Sequence, residues 1–149
     1  MPKKEVFDTN IFISYKKQVL NDKVIANMAL SLVVLCELTY SSRNRQTLQL
    51  YEEWRRDFYN DGLLLVPSMS DFWNAAKKIR ALKILEEKDG IKIQRADDDA
   101  IRLQNDALIA YTISQSKTYF LVTDNTKDFL RLQRVIDFEF QSAAEFFGI

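Results

Sequence analysis

No histidine occurs in the 149-residue sequence, and that absence excludes more chemistry than any other feature. Without imidazole there is no Ser-His-Asp or Cys-His nucleophile, no His-bearing zinc site and no imidazole pair for metal-free RNA cleavage. A single cysteine, Cys36, rules out an internal disulfide framework and a Cys-cluster metal centre, and reads as a small buried hydrophobe. Three glycines and two prolines give little punctuation, which predicts long helices joined by short loops. No apolar run approaches the ~18 residues of a membrane span. The N-terminal MPKKEVF is charged too early for a secretory signal, so the expectation is a cytoplasmic protein. Basic and acidic residues balance at 21 each, so only a local basic patch can point to nucleic acid.

What is present is a globular composition, with 47% apolar and 28% charged residues, and a length that fits one domain over residues 1–149. EVF (5–7) reads as a short strand, followed by a helix from Asn10 to Lys17 and another over 22–28. LSLVVL (30–35) is a continuous apolar run of strand length, leading into a helical turn or two over 36–42. Residues 46–61 place Leu50, Trp54 and Phe58 on one helical face. GLLLVP (62–67) reads as a buried strand stopped by Pro67. A helix over 70–88 then points Phe72, Ala76, Ile79, Leu82 and Leu85 inward and ends at Asp89-Gly90. The remainder reads as a buried helix (105–116), a strand (118–123), a short helix (127–132), a strand (134–140) and a closing helical turn (142–148). Alternating strands and helices predict an α/β domain whose central sheet is mostly parallel, of four to five strands, with helices on both faces.

Ligands of such sheets bind beyond the carboxyl ends of the strands, where strand order reverses. Acids gather at those places. Asp8 ends the first strand, Glu37 follows the 30–35 run, Asp124 follows the 118–123 strand with Asp128 a turn further on, and Asp106 opens the buried helix. Singly, each has a structural reading: Asp8 as an N-cap, Asp106 as a first-turn acid behind an Asn105 cap, and Asp124 or Asn125 as a cap for the 127–132 helix. Together they form a converging set of like charges that a divalent cation neutralises, and all-oxygen ligation selects Mg²⁺ or Mn²⁺.

VFDTNIFIS, ELTYS, NDALIAYTI and LVTDNTKDF, in this order, resemble the successive motifs of a PIN domain, in particular the small VapC-like toxins of toxin–antitoxin pairs. The resemblance runs from residue 5 to about residue 140. It implies a single PIN-like domain and an endoribonuclease dependent on Mg²⁺ or Mn²⁺. It further implies hydrolysis of RNA phosphodiester bonds by metal-activated water, and an antitoxin protein as partner. The first three acids of the pattern fall on Asp8, Glu37 and Asp106. The fourth slot falls on Asn125, with Asp124 or Asp128 completing the ligand set. Thr9, Asn10, Thr123 and Asn125 stand as supporting hydroxyl or amide groups. Asp97–Asp99, within QRADDDAIRLQ (94–104), read as a capped, solvated turn.

For RNA phosphates the chosen cations are Arg43 and Arg45, whose loop leaves the acid-bearing edge. Arg55, Arg56 and the Lys77–Arg80–Lys83 stripe read as solvated helix faces. Trp54, Phe58, Phe72 and Trp73 exceed the aromatic content a small core needs, which fits a homodimer face or an antitoxin groove. Two rivals stand beside this reading. A haloacid-dehalogenase-like phosphatase requires an acid two residues after the first, where this chain has Asn10. A PIN-like module that binds RNA or protein without catalysis finds its support in the neutral Asn125.

Overall fold

The computed structural model describes residues 2–92 and 96–149, without the side chains of residues 96 and 97. In chain order the elements are β1 (Lys4–Phe7), α1 (Thr9–Ser14), α2 (Lys16–Val19), α3 (Asp22–Asn27) and β2 (Leu30–Ser31). Next come α4 (Leu32–Ser41), α5 (Arg45–Asn60), β3 (Leu64–Leu65), α6 (Met69–Lys88) and α7 (Ala96–Ser114). The chain closes with β4 (Tyr119–Val122), α8 (Thr126–Leu132), β5 (Phe140–Gln141) and α9 (Ala143–Phe147).

β1, β4 and β5 form a parallel sheet in that order, and β2 pairs with β3 in a second parallel sheet. A parallel bridge between Val6 and Ala29 joins the two, with the Ala29 N–H donating to the Glu5 carbonyl at 2.9 Å. The spatial order is therefore β3-β2-β1-β4-β5. Strand order reverses between β1 and β4, and the carboxyl ends of those two strands carry Asp8 and Thr123-Asp124. The expected parallel α/β architecture is present.

Several strands are shorter than their apolar runs suggest. LSLVVL contributes only Leu30 and Ser31 to a strand, because the Ser31 hydroxyl accepts from the Val34 N–H and starts α4. Val34, Leu35 and Leu38 are buried on that helix instead, and Glu37 is helical. GLLLVP keeps Leu64–Leu65 and leaves Val66 half exposed. RVIDFEF yields only the Phe140 end of β5.

α6 turns Ile79 and Leu82 inward as its spacing suggests, but not Phe72 or Ala76. Ala75, Ile79, Leu82 and Glu86 are buried, whereas Phe72 is 58% exposed and Ala76 faces solvent. The helix opens with a Ser68–Asp71 capping box and closes at Asp89, after which Gly90 adopts φ 73°. α7 begins well before NDALIA, at Ala96, so Asp106 lies inside the helix and Asn105 is no cap. Of the acidic stretch before it, residues 94 and 95 and the Asp97 side chain lie outside the described residues. Asp99 is not part of a solvated turn: it is helical and buried.

The core is built on Val6 and Phe7 of β1, Leu121 and Val122 of β4, and the α7 face Leu103, Ala107, Ile109, Ala110 and Ile113. Burying these side chains contributes roughly 1.5–3 kcal/mol for each large one. Packing holds β1, β4 and α7 together and so fixes the positions of the acids at their ends. Among the described residues no helix is long and apolar enough to cross a membrane.

Candidate metal centre

Asp8 continues β1 by one residue, its N–H donating to the Val122 carbonyl at 3.0 Å. Its side chain is almost fully buried and N-caps α1, accepting from the Thr9 N–H at 2.8 Å. Its other oxygen, Oδ2, accepts from the Thr123 hydroxyl at 2.7 Å and from the Asn10 amide at 3.2 Å. Burial raises the Asp8 pKa, and the donors from Thr123, Thr9 and Asn10 oppose it. Capping and site membership are compatible roles for one carboxylate.

Thr123 is fully buried and sits at a junction. Its hydroxyl donates to Asp8 and accepts from the Asn125 N–H at 3.0 Å. Asn10 ties the same strand ends from the other side, its carbonyl oxygen accepting from the Asp124 N–H at 3.2 Å. These side chains hold the end of β1 to the end of β4.

Glu37, on α4, receives the Thr9 hydroxyl at 2.9 Å. Desolvation raises its pKa and the Asp8 charge adds to this, while Thr9 and Asn105 hold it down. Asp106, on α7, accepts from the Asn125 amide at 3.0 Å. Its pKa is raised to about 7, first by burial and then by the charges of Asp8, Asp128 and Glu37, against the lowering effect of Arg102. These interactions place Asp8, Glu37 and Asp128 within electrostatic reach of Asp106, and Asp8 within reach of Glu37.

Asp128 is buried in the first turn of α8. Burial alone would raise its pKa, but the Arg102 bond, the Asn125 amide and the charges of Arg102 and Arg131 outweigh it and lower the value. Arg102 lies one turn before Asp106 on α7, and its guanidinium also reaches Asp99 at 2.8 Å. The i, i+4 spacing between Arg102 and Asp106 is the only signal in the sequence for this residue. Nothing in the sequence links Arg102 to Asp128, 26 residues away.

Asp124 points elsewhere. It is exposed, its Oδ1 accepts from the Ala143 N–H at 3.0 Å at the start of α9, and the Tyr15 hydroxyl faces it. The structure therefore gathers Asp8, Glu37, Asp106 and Asp128, with Asn125 between the last two, and separates Asp124 from them. Arg43 and Arg45 lie in the α4–α5 connection and the first turn of α5, with Arg45 exposed. Arg55 and Arg56 are solvated and paired with Glu52 and Asp57. Lys83 departs from the solvated stripe expected of it: it is mostly buried and contacts Asp99.

The donor set suits a hard divalent cation. It is all oxygen, three of its carboxylates are raised in pKa, and among the described residues no basic side chain bonds Asp8, Glu37 or Asp106. Among the described residues, however, no group of three or more acidic side chains is arranged so that it could hold a metal ion as it stands.

No protein-family model matches the sequence, and no curated protein sequence matches it either. Solved structures do. A chain of VapBC-1 from nontypeable Haemophilus influenzae superposes with a TM-score of 0.55 at 21% identity, covering 93% of this chain and 96% of that one. A chain of DNA-bound VapBC from Salmonella typhimurium gives 0.51 at 16% identity, over 94% and 98%. VapBC2 from Rickettsia felis, bound to a DNA fragment from its promoter, gives 0.50 at 22%, over 93% and 97%. The fold is that of the VapC-like PIN domain which the motifs resemble.

Proposed function

We propose that the chain is a Mg²⁺- or Mn²⁺-dependent endoribonuclease and the toxin of a toxin–antitoxin pair. The observation that carries this is the meeting of Asp8, Glu37, Asp106 and Asp128 at the β1/β4 switch point, with Asp106 pushed up to about 7 by burial and by the other three. Repulsion among these carboxylates is relieved by a cation.

Asp8, Glu37 and Asp106 would hold the ion, with Asp128 completing the set on the α8 side. When bound, the ion supplies positive charge at a scissile phosphate and a more acidic water. The chain's own groups do the rest. Thr123 and Asn10 fix the Asp8 carboxylate, Thr9 fixes that of Glu37, and Asn125 spans Asp106 and Asp128. A carboxylate of this set takes up the proton of the attacking water. Arg43 and Arg45 are the cations nearest the Glu37 helix in sequence and available to RNA.

The VapBC neighbours support an antitoxin partner for this chain, and the exposed Phe72 and Trp73 support a homodimer face. One observation favours the non-catalytic alternative, a PIN-like module that binds RNA or protein: Asp128 is held by Arg102 and Asn125. Cleavage separates the two readings. Purified protein freed of any antitoxin is incubated with mixed cellular RNA in Mg²⁺ or Mn²⁺, in EDTA, and beside Asp8→Asn. Discrete metal-dependent products missing from the variant establish the nuclease, and intact RNA under every metal leaves only the binding module.

A further inference from the structure

A cavity of about 430 Å³ opens beside the acid edge, lined by Glu86, Lys92, Asp99, Arg102, Lys127 and Arg131. Its acids are already engaged. Both Glu86 oxygens accept from Arg131 at 3.0 Å, and Asp99 accepts from Arg131 and Arg102 at 2.8 Å and contacts Lys83. Lys92 and Lys127 are exposed and have no acidic partner among the described residues. Among the described residues that line the cavity, the four cations Lys92, Arg102, Lys127 and Arg131 outnumber the two acids Glu86 and Asp99, while the adjoining Asp8–Glu37–Asp106 edge is net negative.

Arg102 joins the two regions. It bonds Asp128 at the acid edge and Asp99 in the cavity, and 55% of its side chain remains exposed. A polyanionic strand whose scissile phosphate lies over the acid edge must place its neighbouring phosphates nearby. Those phosphates are repelled by the edge and attracted by the cavity. Two exposed lysines act as point charges suited to backbone contact without base readout.

We infer that this cavity is a phosphate-binding subsite that seats the backbone of single-stranded RNA next to the cleaved bond, with Lys92 and Lys127 as its main cations. The inference rests on the nuclease reading for its choice of ligand, but its test does not require cleavage. Binding of a short, labelled, mixed-sequence oligoribonucleotide is measured by fluorescence anisotropy in EDTA across a salt series. The full-length chain is compared with Lys92→Ala/Lys127→Ala and with Lys92→Arg/Lys127→Arg.

The alanine pair weakens binding and lowers the slope of log K against log salt by about 0.7 for each phosphate that is no longer neutralised. The arginine pair restores both. Both lysines are exposed, so the alanine pair keeps the wild-type unfolding midpoint. Unchanged affinity and slope in a well-folded alanine pair overturn the inference, as does a wild-type protein that binds no RNA. Lysine-dependent binding without Mg²⁺-dependent cleavage keeps the subsite and removes the nuclease reading.

Discussion

The Thr123 hydroxyl donates to Asp8 Oδ2 at 2.7 Å across 115 residues of sequence, joining the ends of β1 and β4. This bond opposes the burial that raises the Asp8 pKa. Replacing it with a near-isosteric methyl, Thr123→Val, pushes that pKa further up and removes the acceptor of the Asn125 N–H. On the proposed mechanism, which needs Asp8 ionised, cleavage is then lost at a higher pH as the pH falls. Stability drops by about 1–3 kcal/mol. The pH–rate profile of the two proteins checks the direction, and a superimposable profile contradicts it.

Asp106→Asn should stabilise the metal-free protein above neutral pH while abolishing cleavage. The folded pKa of about 7 lies above the ordinary 3.8, so the folded state resists ionisation that the unfolded chain accepts freely. Wild-type stability is therefore lost as the pH rises from about 4 through about 7, and levels off above. Asparagine carries no such penalty. Its gain at pH 8 is about 2 kcal/mol after allowance for solvent screening, and it vanishes below about pH 4. Urea midpoints at the two pH values provide the test.

Asp124→Ala should retain metal-dependent cleavage. Its carboxylate serves the N–H of Ala143 at the start of α9, so the expected loss is about 1 kcal/mol of stability. Asp128→Ala should reduce cleavage, because that carboxylate shares the Asn125 amide with Asp106. A folded Asp124→Ala protein without activity would exchange the two assignments.

Arg131 bonds Glu86, Asp99 and Asp128, linking α6, α7 and α8 through largely buried groups. Removing it with Arg131→Ala leaves buried carboxylates short of a partner, which costs about 3–5 kcal/mol. A denaturation midpoint within error of wild type would show that water compensates the network.

Much of the fold and of the candidate site is legible in the sequence because two signals are local: apolar strands ending in acids, and capping residues at helix starts. Asp8 follows β1 directly, and Asn125 and Asp128 lie close behind the end of β4, so strand reading alone brings them to one edge. Other features need three dimensions. The Val33-Val34 run looks like strand by composition, yet the Ser31 cap and packing of Val34 and Leu38 into the core make it helix. α7 extends back to Ala96 through an acidic stretch, and Asp99 is buried there only because Lys83 and Arg131 arrive from α6 and α8. Arg102's hold on Asp128 is likewise invisible to spacing. Asp124 shows the converse: sequence leaves it and Asp128 as alternatives for the last ligand, and the structure gives its carboxylate to the Ala143 N–H at the start of α9.

The central claim is that Asp8 and Asp106 bind a divalent cation, and calorimetric titration with Mn²⁺ at pH 7 tests it most directly. The predicted result is saturable binding to the wild-type chain with release of protons, since Asp106 is partly protonated at that pH. Binding disappears in Asp8→Asn and Asp106→Asn and persists in Asp124→Asn. No binding to the wild type, or equal binding to the Asp8 and Asp106 variants, would contradict the claim.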